Sequence, residues 1–179
     1  MADYFMPTII QQTIPDADMT PLERLLLSHI FESEPDRDCW YFFSEQGPAS
    51  MIAVERPELE DALAKSAAIE SGANSFVTEE LAKCAATDSV IDLDITITSW
   101  EYLFQDVVRR SKTLRYVTAI TAFTCSKMRP DGFGGMAVLI TANTVKGKST
   151  EDIIADFLHE EGLGAGDGLA AEAPAPSED

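Results

Sequence analysis

Thr113 to Gly162 reads TLRYVTAITAFTCSKMRPDGFGGMAVLITANTVKGKSTEDIIADFLHEEG, and this stretch decides the fold. From Leu114 to Cys125, apolar and Thr residues run without a helical period, which predicts a long strand. Arg129-Pro130-Asp131-Gly132-Phe133-Gly134-Gly135 is turn chemistry, and Met136 to Val145 is a second apolar strand. Glu151 to Glu161 then reads as a helix capped by Ser149 or Thr150, with Ile153, Ile154, Phe157 and Leu158 as its apolar stripe and Gly162 as its stop. The result is a ββα unit. Apolar or Thr side chains fall on both parities of each strand, so both strands are expected in the middle of a sheet, covered on two faces. A lone hairpin is marginal in water, so the preceding residues must supply that cover.

Upstream, Ser99 is placed to cap a helix in which Trp100, Leu103, Phe104, Val107 and Val108 follow the i, i+3, i+4, i+7, i+8 rule. Val90 to Ile97 alternates, with Ile91, Leu93, Ile95 and Ile97 on one side and Asp92, Asp94 and Thr96 on the other, as a half-exposed strand does. Arg56-Pro57 opens a helix expected to reach about Ser71, with Gly72 as its stop, and a shorter helix is expected from about Phe76 to Ala86. Cys39 to Glu45 and Ala49 to Glu55 read as two strands of a hairpin around Gln46-Gly47-Pro48. Within the first of these, Trp40 and Phe42 share one parity and Tyr41 and Phe43 the other. Glu32 to Asp38 reads as a solvated loop. Thr20-Pro21-Leu22-Glu23 has the form of a capping box with Pro at the first helical position, and Leu22, Leu25, Leu26, His29 and Ile30 follow on one face. Phe5 to Ile14 is expected to be a short strand or an extended arm, held to a sheet edge by Pro7.

The expected fold class is α+β: an antiparallel sheet of about five strands packed by amphipathic helices, with an inserted helical pair. Residues 1–164 are expected to form a single domain, and the Gly, Ala, Pro, Ser and acid-rich tail of 165–179 lacks the apolar content for a core and is expected to be disordered. No internal repeat is visible.

Charge narrows the function classes. Thirteen Lys and Arg against 31 Asp and Glu give a net charge of −18, which argues against contact with phosphate backbones or anionic lipid over most of the surface. Met1 to Asp61 holds 13 acids and three bases, so the N-terminal third is the acidic pole. Glu32, Glu34, Asp36 and Asp38 are its densest run and the candidate partner-binding residues. Arg109, Arg110, Lys112 and Arg115 form the main basic group; they suit a helix C-terminus, and the alternative is a contact with an acidic partner or with a second copy of the chain. Cys39, Cys84 and Cys125 sit in apolar patterns without metal or redox spacing, which points to buried thiols in a reducing compartment. With no apolar run near 18 residues and no leader pattern, the expected location is the cytoplasm.

Motifs for catalysis are weak. Ala142-Asn143-Thr144-Val145-Lys146-Gly147-Lys148-Ser149 fits a relaxed phosphate-loop pattern with Ala in place of the first Gly, making Lys146, Lys148 and Ser149 a candidate anion site. Its interior lacks the glycines that aim backbone amides at phosphate. The glycines of Arg129 to Gly134 match the acyl-CoA pattern RxxGxG, yet a strand follows where that site needs a helix N-terminus. His29 and His159 lie on predicted helices without a nucleophile signature, His29 as a packed or boundary residue. No cofactor, metal set or catalytic residue is implied.

Without the helical pair, the element order α, β, β, β, α, β, β, α over Thr20 to Gly162 resembles the type III secretion chaperones and their non-secretion relatives. That resemblance implies a homodimer that binds an extended segment of another protein along apolar grooves, without catalysis. The alternative is an acidic mimic of nucleic acid, of the kind mobile elements direct against defence or DNA-binding proteins. A small nucleotide-binding enzyme is a minor alternative.

Overall fold

The computed structural model describes residues 2–129 and 131–163. In chain order the elements are β1 (Tyr4–Phe5), β2 (Thr8–Ile10), β3 (Ile14–Pro15), α1 (Pro21–Ile30), β4 (Glu32–Asp36), β5 (Cys39–Ser44), β6 (Met51–Glu55), α2 (Arg56–Ser66), α3 (Gly72–Lys83), β7 (Val90–Asp94), α4 (Trp100–Arg110), β8 (Tyr116–Cys125), β9 (Gly134–Thr141), β10 (Val145–Ser149) and α5 (Thr150–Glu160). The fold is α+β and, among the described residues, every strand pairing is antiparallel. Eight strands form the main sheet in the order β10-β9-β8-β2-β5, with β3 and β4 on opposite sides of β5 and β1 continuing β2 along β8; β6 and β7 form a separate ribbon.

The arm Phe5 to Ile14 is not at an edge. β2 lies between β8 and β5, and the ladder breaks at Pro7, whose missing N–H costs one bond while its carbonyl still accepts from Ala122 N at 3.0 Å. Thr8 and Ile10 are buried there.

The hairpin is also differently partnered. Glu32–Asp36, expected as a loop, is strand β4 and pairs with β5 across the turn Arg37-Asp38, where Arg37 has φ 57°. Gly47 forms a local turn instead, its N–H donating to Ser44 Oγ and its carbonyl accepting from the same hydroxyl. Ala49 N then donates to Ile30 O at 2.9 Å, which leads the chain away to β6 and its partner β7.

Two helix boundaries moved for a visible reason. Asn74 Nδ2 donates to the carbonyls of Ser66 and Ile69, closing α2 early, and Ser71 rather than Gly72 makes the break by capping α3. Gly72 therefore begins α3, its N–H donating to Asp106 Oδ2 at 2.6 Å. Thr20 and Glu23 complete the capping box of α1, and Ser149 with Asp152 completes one at α5. Ser99 precedes α4 but makes no side-chain cap; it sits at φ 56° with its hydroxyl on Glu101.

The helices cover one face of the main sheet. Phe31, Phe42, Trp100 and Phe104 meet edge-on at centroid distances of 5.4 to 6.4 Å, joining α1, β5 and α4. Leu22, Leu26, Val107, Val117 and Ile140 extend this core. His29 is exposed, whereas Leu27 and Glu23 are buried, so the inner stripe of α1 is rotated from the expected one. The three cysteines are free and half-buried rather than buried. The expected disordered tail, residues 165–179, lies outside the described residues.

Candidate protein-interaction face

Strand parity divides the main sheet into an inner and an outer face. On β8, Val117, Ala119 and Thr121 point inward and are buried, while Tyr116, Ile120 and Ala122 point outward and are exposed. The expected two-sided cover of β8 and β9 is therefore overturned: the helices reach one face only. β5 divides in the same way, with Phe42 and Ser44 buried and Tyr41 and Phe43 half-exposed.

Residues directly opposite in antiparallel strands share a face, so the register defines the outer surface row by row. One row runs Glu32, Phe43, Ile9, Ile120, Ala137, Lys148 across β4, β5, β2, β8, β9 and β10. It passes from acid through an apolar middle to a base. At about 4.8 Å per strand the row spans about 24 Å. Thr118, Leu139 and Lys146 align in the next row on the basic side, and Tyr116 lies opposite Thr141 beyond it. On the acidic side Glu34 lies opposite Tyr41 and Asp36 opposite Cys39, while Tyr41 stacks on Phe43 with centroids 5.3 Å apart. The apolar middle is open: Ile9, Ile120, Leu139 and Tyr116 retain 38 to 49 % of their exposure. This is a continuous apolar and aromatic strip between two oppositely charged rims.

The structure brings three of the four predicted acids together. Glu32, Glu34 and Asp36 line one side of β4, and Asp38 falls in the turn. The basic group, by contrast, is dispersed. Arg109 pairs with Asp106 and donates to the Ala142 carbonyl, and Arg110 pairs with buried Glu23. Lys112 and Arg115 stay exposed, Arg115 beside Tyr116, Leu139 and Thr141 on the outer face. Lys146, Lys148 and Ser149 belong to an edge strand rather than a loop, because Val145–Ser149 pairs residue for residue with Met136–Ile140. Lys148 is bound to Asp156, which raises the pKa of its ammonium. Ser149 is occupied in capping α5, and its N–H and hydroxyl hold the Asp152 carboxyl below the usual range.

Sequence reasoning missed the apolar strip and Glu23. The strip was legible in principle as the second parity of β5, β8 and β9, but parity alone does not say which face the helices cover. Glu23 is fully buried at the α1 N-terminus, accepting from Thr20 N and Arg110. Burial raises its pKa, opposed by the Thr20 N–H and Arg110. Its Oε1 has no hydrogen-bond partner among the described residues.

Two open clefts of about 490 and 560 Å³ meet at Arg24 and Trp40. Asp16 already accepts from both of those side chains there, and its pKa is lowered as a result. Among the described residues no group of three His, Cys, Asp or Glu side chains is placed to hold a metal, and no helix is long and apolar enough to cross a membrane. No family model matches the chain, and searches of curated proteins and of solved structures likewise found no match.

Proposed function

We propose that the chain is a non-enzymatic protein-recognition module, chaperone-like or adaptor-like, that binds a segment of another protein on the outer face of its main sheet. The observation that carries this reading is the open apolar strip through Phe43, Ile9, Ile120 and Leu139, bounded by Glu32 and Glu34 on one rim. Contiguous exposed apolar surface of this kind marks an interaction site, and its core supplies the burial that drives association. The acidic rim favours a partner segment that is apolar with Lys or Arg at one end. A net charge of −18 favours the same class of partner and disfavours nucleic acid and anionic membrane. The structure departs from the element order that resembles the type III secretion chaperones: without α2 and α3 it runs α1, β4, β5, β6, β7, α4, β8, β9, β10, α5, over two sheets, so the reading rests on the strip.

The test compares proteins retained from cells of the source by the native chain and by Ile120→Asp. A retained protein that is lost with Ile120→Asp supports the reading. Retention of nothing, or of the same set by both chains, overturns it.

A second reading draws on β4, which aligns Glu32, Glu34 and Asp36 at strand spacing and so forms a short row of carboxylates. As a nucleic-acid mimic the chain would hold its partner through these charges. Binding would then weaken steeply with salt and with Glu32→Gln plus Glu34→Gln, while Ile120→Asp would leave it intact.

A further inference from the structure

α5 carries a second apolar surface that the chain itself leaves uncovered. Ile153, Ile154, Phe157 and Leu158 retain 38 to 59 % of their exposure, and the helix has no buried residue. A helix of 11 residues is marginal in water without packing, so this stripe calls for cover. Its own sheet holds it by the polar side only. Ser149 is both the last residue of β10 and the N-cap of α5, Thr150 Oγ1 accepts from Gly135 N, and Asp156 pairs with Lys148 of the outer row, an arrangement that leaves the apolar stripe uncovered.

We propose that two copies of this chain associate reciprocally, with α5 of each laid across the outer sheet face of the other. The proposal rests on the reading of that face as a docking surface and names one occupant for it. Size agrees: 11 residues span about 16 Å, and the strip from β9 to β2 is about 10 to 14 Å wide. Layering agrees as well, since helix on sheet is a standard way for both elements to bury an apolar side. Charge favours this pairing at the basic end of the strip, away from Glu32 and Glu34. α5 carries Glu151 and Glu160, with Glu161 at its C-cap, as well as its capping and paired aspartates, while Arg115 and Lys146 beside the strip make no ion pair among the described residues. Pairing α5 with α5 would bring like charges together. Pairing face with face would leave both helical stripes bare.

Sedimentation equilibrium over a concentration series tests it, using the native chain, Phe157→Asp and Ile120→Asp. Both positions are exposed, so both variants should keep the native circular dichroism. The expected result is a dimer for the native chain, a monomer for each variant, and a dimer again when the two variants are mixed. Rescue is to a dimer weaker than the native one, because the intact α5 of the Ile120→Asp chain meets the intact face of the Phe157→Asp chain while the opposite contact carries both substitutions. Lys146→Glu should weaken the native dimer at least several-fold at low salt. A monomeric native chain, a Phe157→Asp dimer, or mixed variants that stay monomeric would overturn the exchange. The recognition function fails separately: a monomer whose captured partner is lost with Ile120→Asp sinks only the exchange, and a rescued dimer that captures no other protein sinks only the function.

Discussion

Glu23 has the most unusual environment of any ionisable residue described. Its carboxylate completes the capping box of α1 and pairs with Arg110 at the end of α4, tying two helices together at the inner edge of the core. Arg110 remains partly solvated, so Glu23→Ala strips a buried partner from a half-exposed cation and should cost about 3 kcal/mol in urea unfolding. Glu23→Gln keeps an acceptor for Thr20 N and should cost about 1 kcal/mol. The pH dependence has a definite sign. Burial raises the folded pKa of Glu23 above its unfolded value, so the folded state binds more protons in the window between the two. Stability from this group is therefore present below the unfolded pKa and falls as pH rises through the folded one. Asp16 and Asp152 act oppositely: their lowered pKa values favour the folded state above the ordinary carboxylate range, and that contribution fades as pH falls. Urea midpoints of the native chain and Glu23→Gln, followed upward from pH 4, should diverge, with the native chain losing more. Parallel curves would remove the assignment. The capping role of Thr20 and Glu23 was readable from four consecutive residues, but burial of Glu23 was not, because Arg110 arrives from 87 positions away.

Among the elements, α5 and α4 differ in what holds them. α4 is fastened by Phe104, fully buried among Phe31, Phe42 and Trp100, so Phe104→Ala should cost about 3 to 5 kcal/mol and lower the global midpoint. α5 depends on its cap and one ion pair, so Ser149→Ala should cost about 1 kcal/mol locally. That loss should appear as faster amide exchange over Thr150–Glu160 with the global midpoint unchanged. A global shift of equal size would show that α5 is part of the main cooperative unit. In the β8–β9 pair, a Cβ on Gly135 would lie 2.9 Å from the Thr121 carbonyl oxygen, so Gly135→Ala must part the two strands and should cost about 1 to 3 kcal/mol in the same assay. Periodicity located α1, α4 and α5 to within a residue or so at most of their ends. It failed on the partners of short strands: β4 has Pro35 and three acids and no apolar alternation, yet β5 supplies the ladder that makes it a strand.

For the whole molecule, charge is the property that both functional readings share. With a sequence pI of about 4.3, solubility should fall to a minimum near that pH as self-repulsion vanishes, and turbidity against pH measures it. Glu32→Lys with Glu34→Lys should slow association with a basic partner mainly at low salt, because rim charges act on encounter more than on the packed centre. An unchanged on-rate would detach β4 from recognition. By itself the sequence determined the α+β class, the capped starts of α1 and α5 and the acidic pole, since periodicity, caps and net charge are local or additive properties. Only the tertiary structure decided that β2 threads between β8 and β5, that β4 rather than β6 joins β5, and that the helices cover one face of the main sheet. Those outcomes depend on backbone groups finding partners far along the chain. The free energies of rival pairings differ through long-range packing, which no window of neighbouring residues contains.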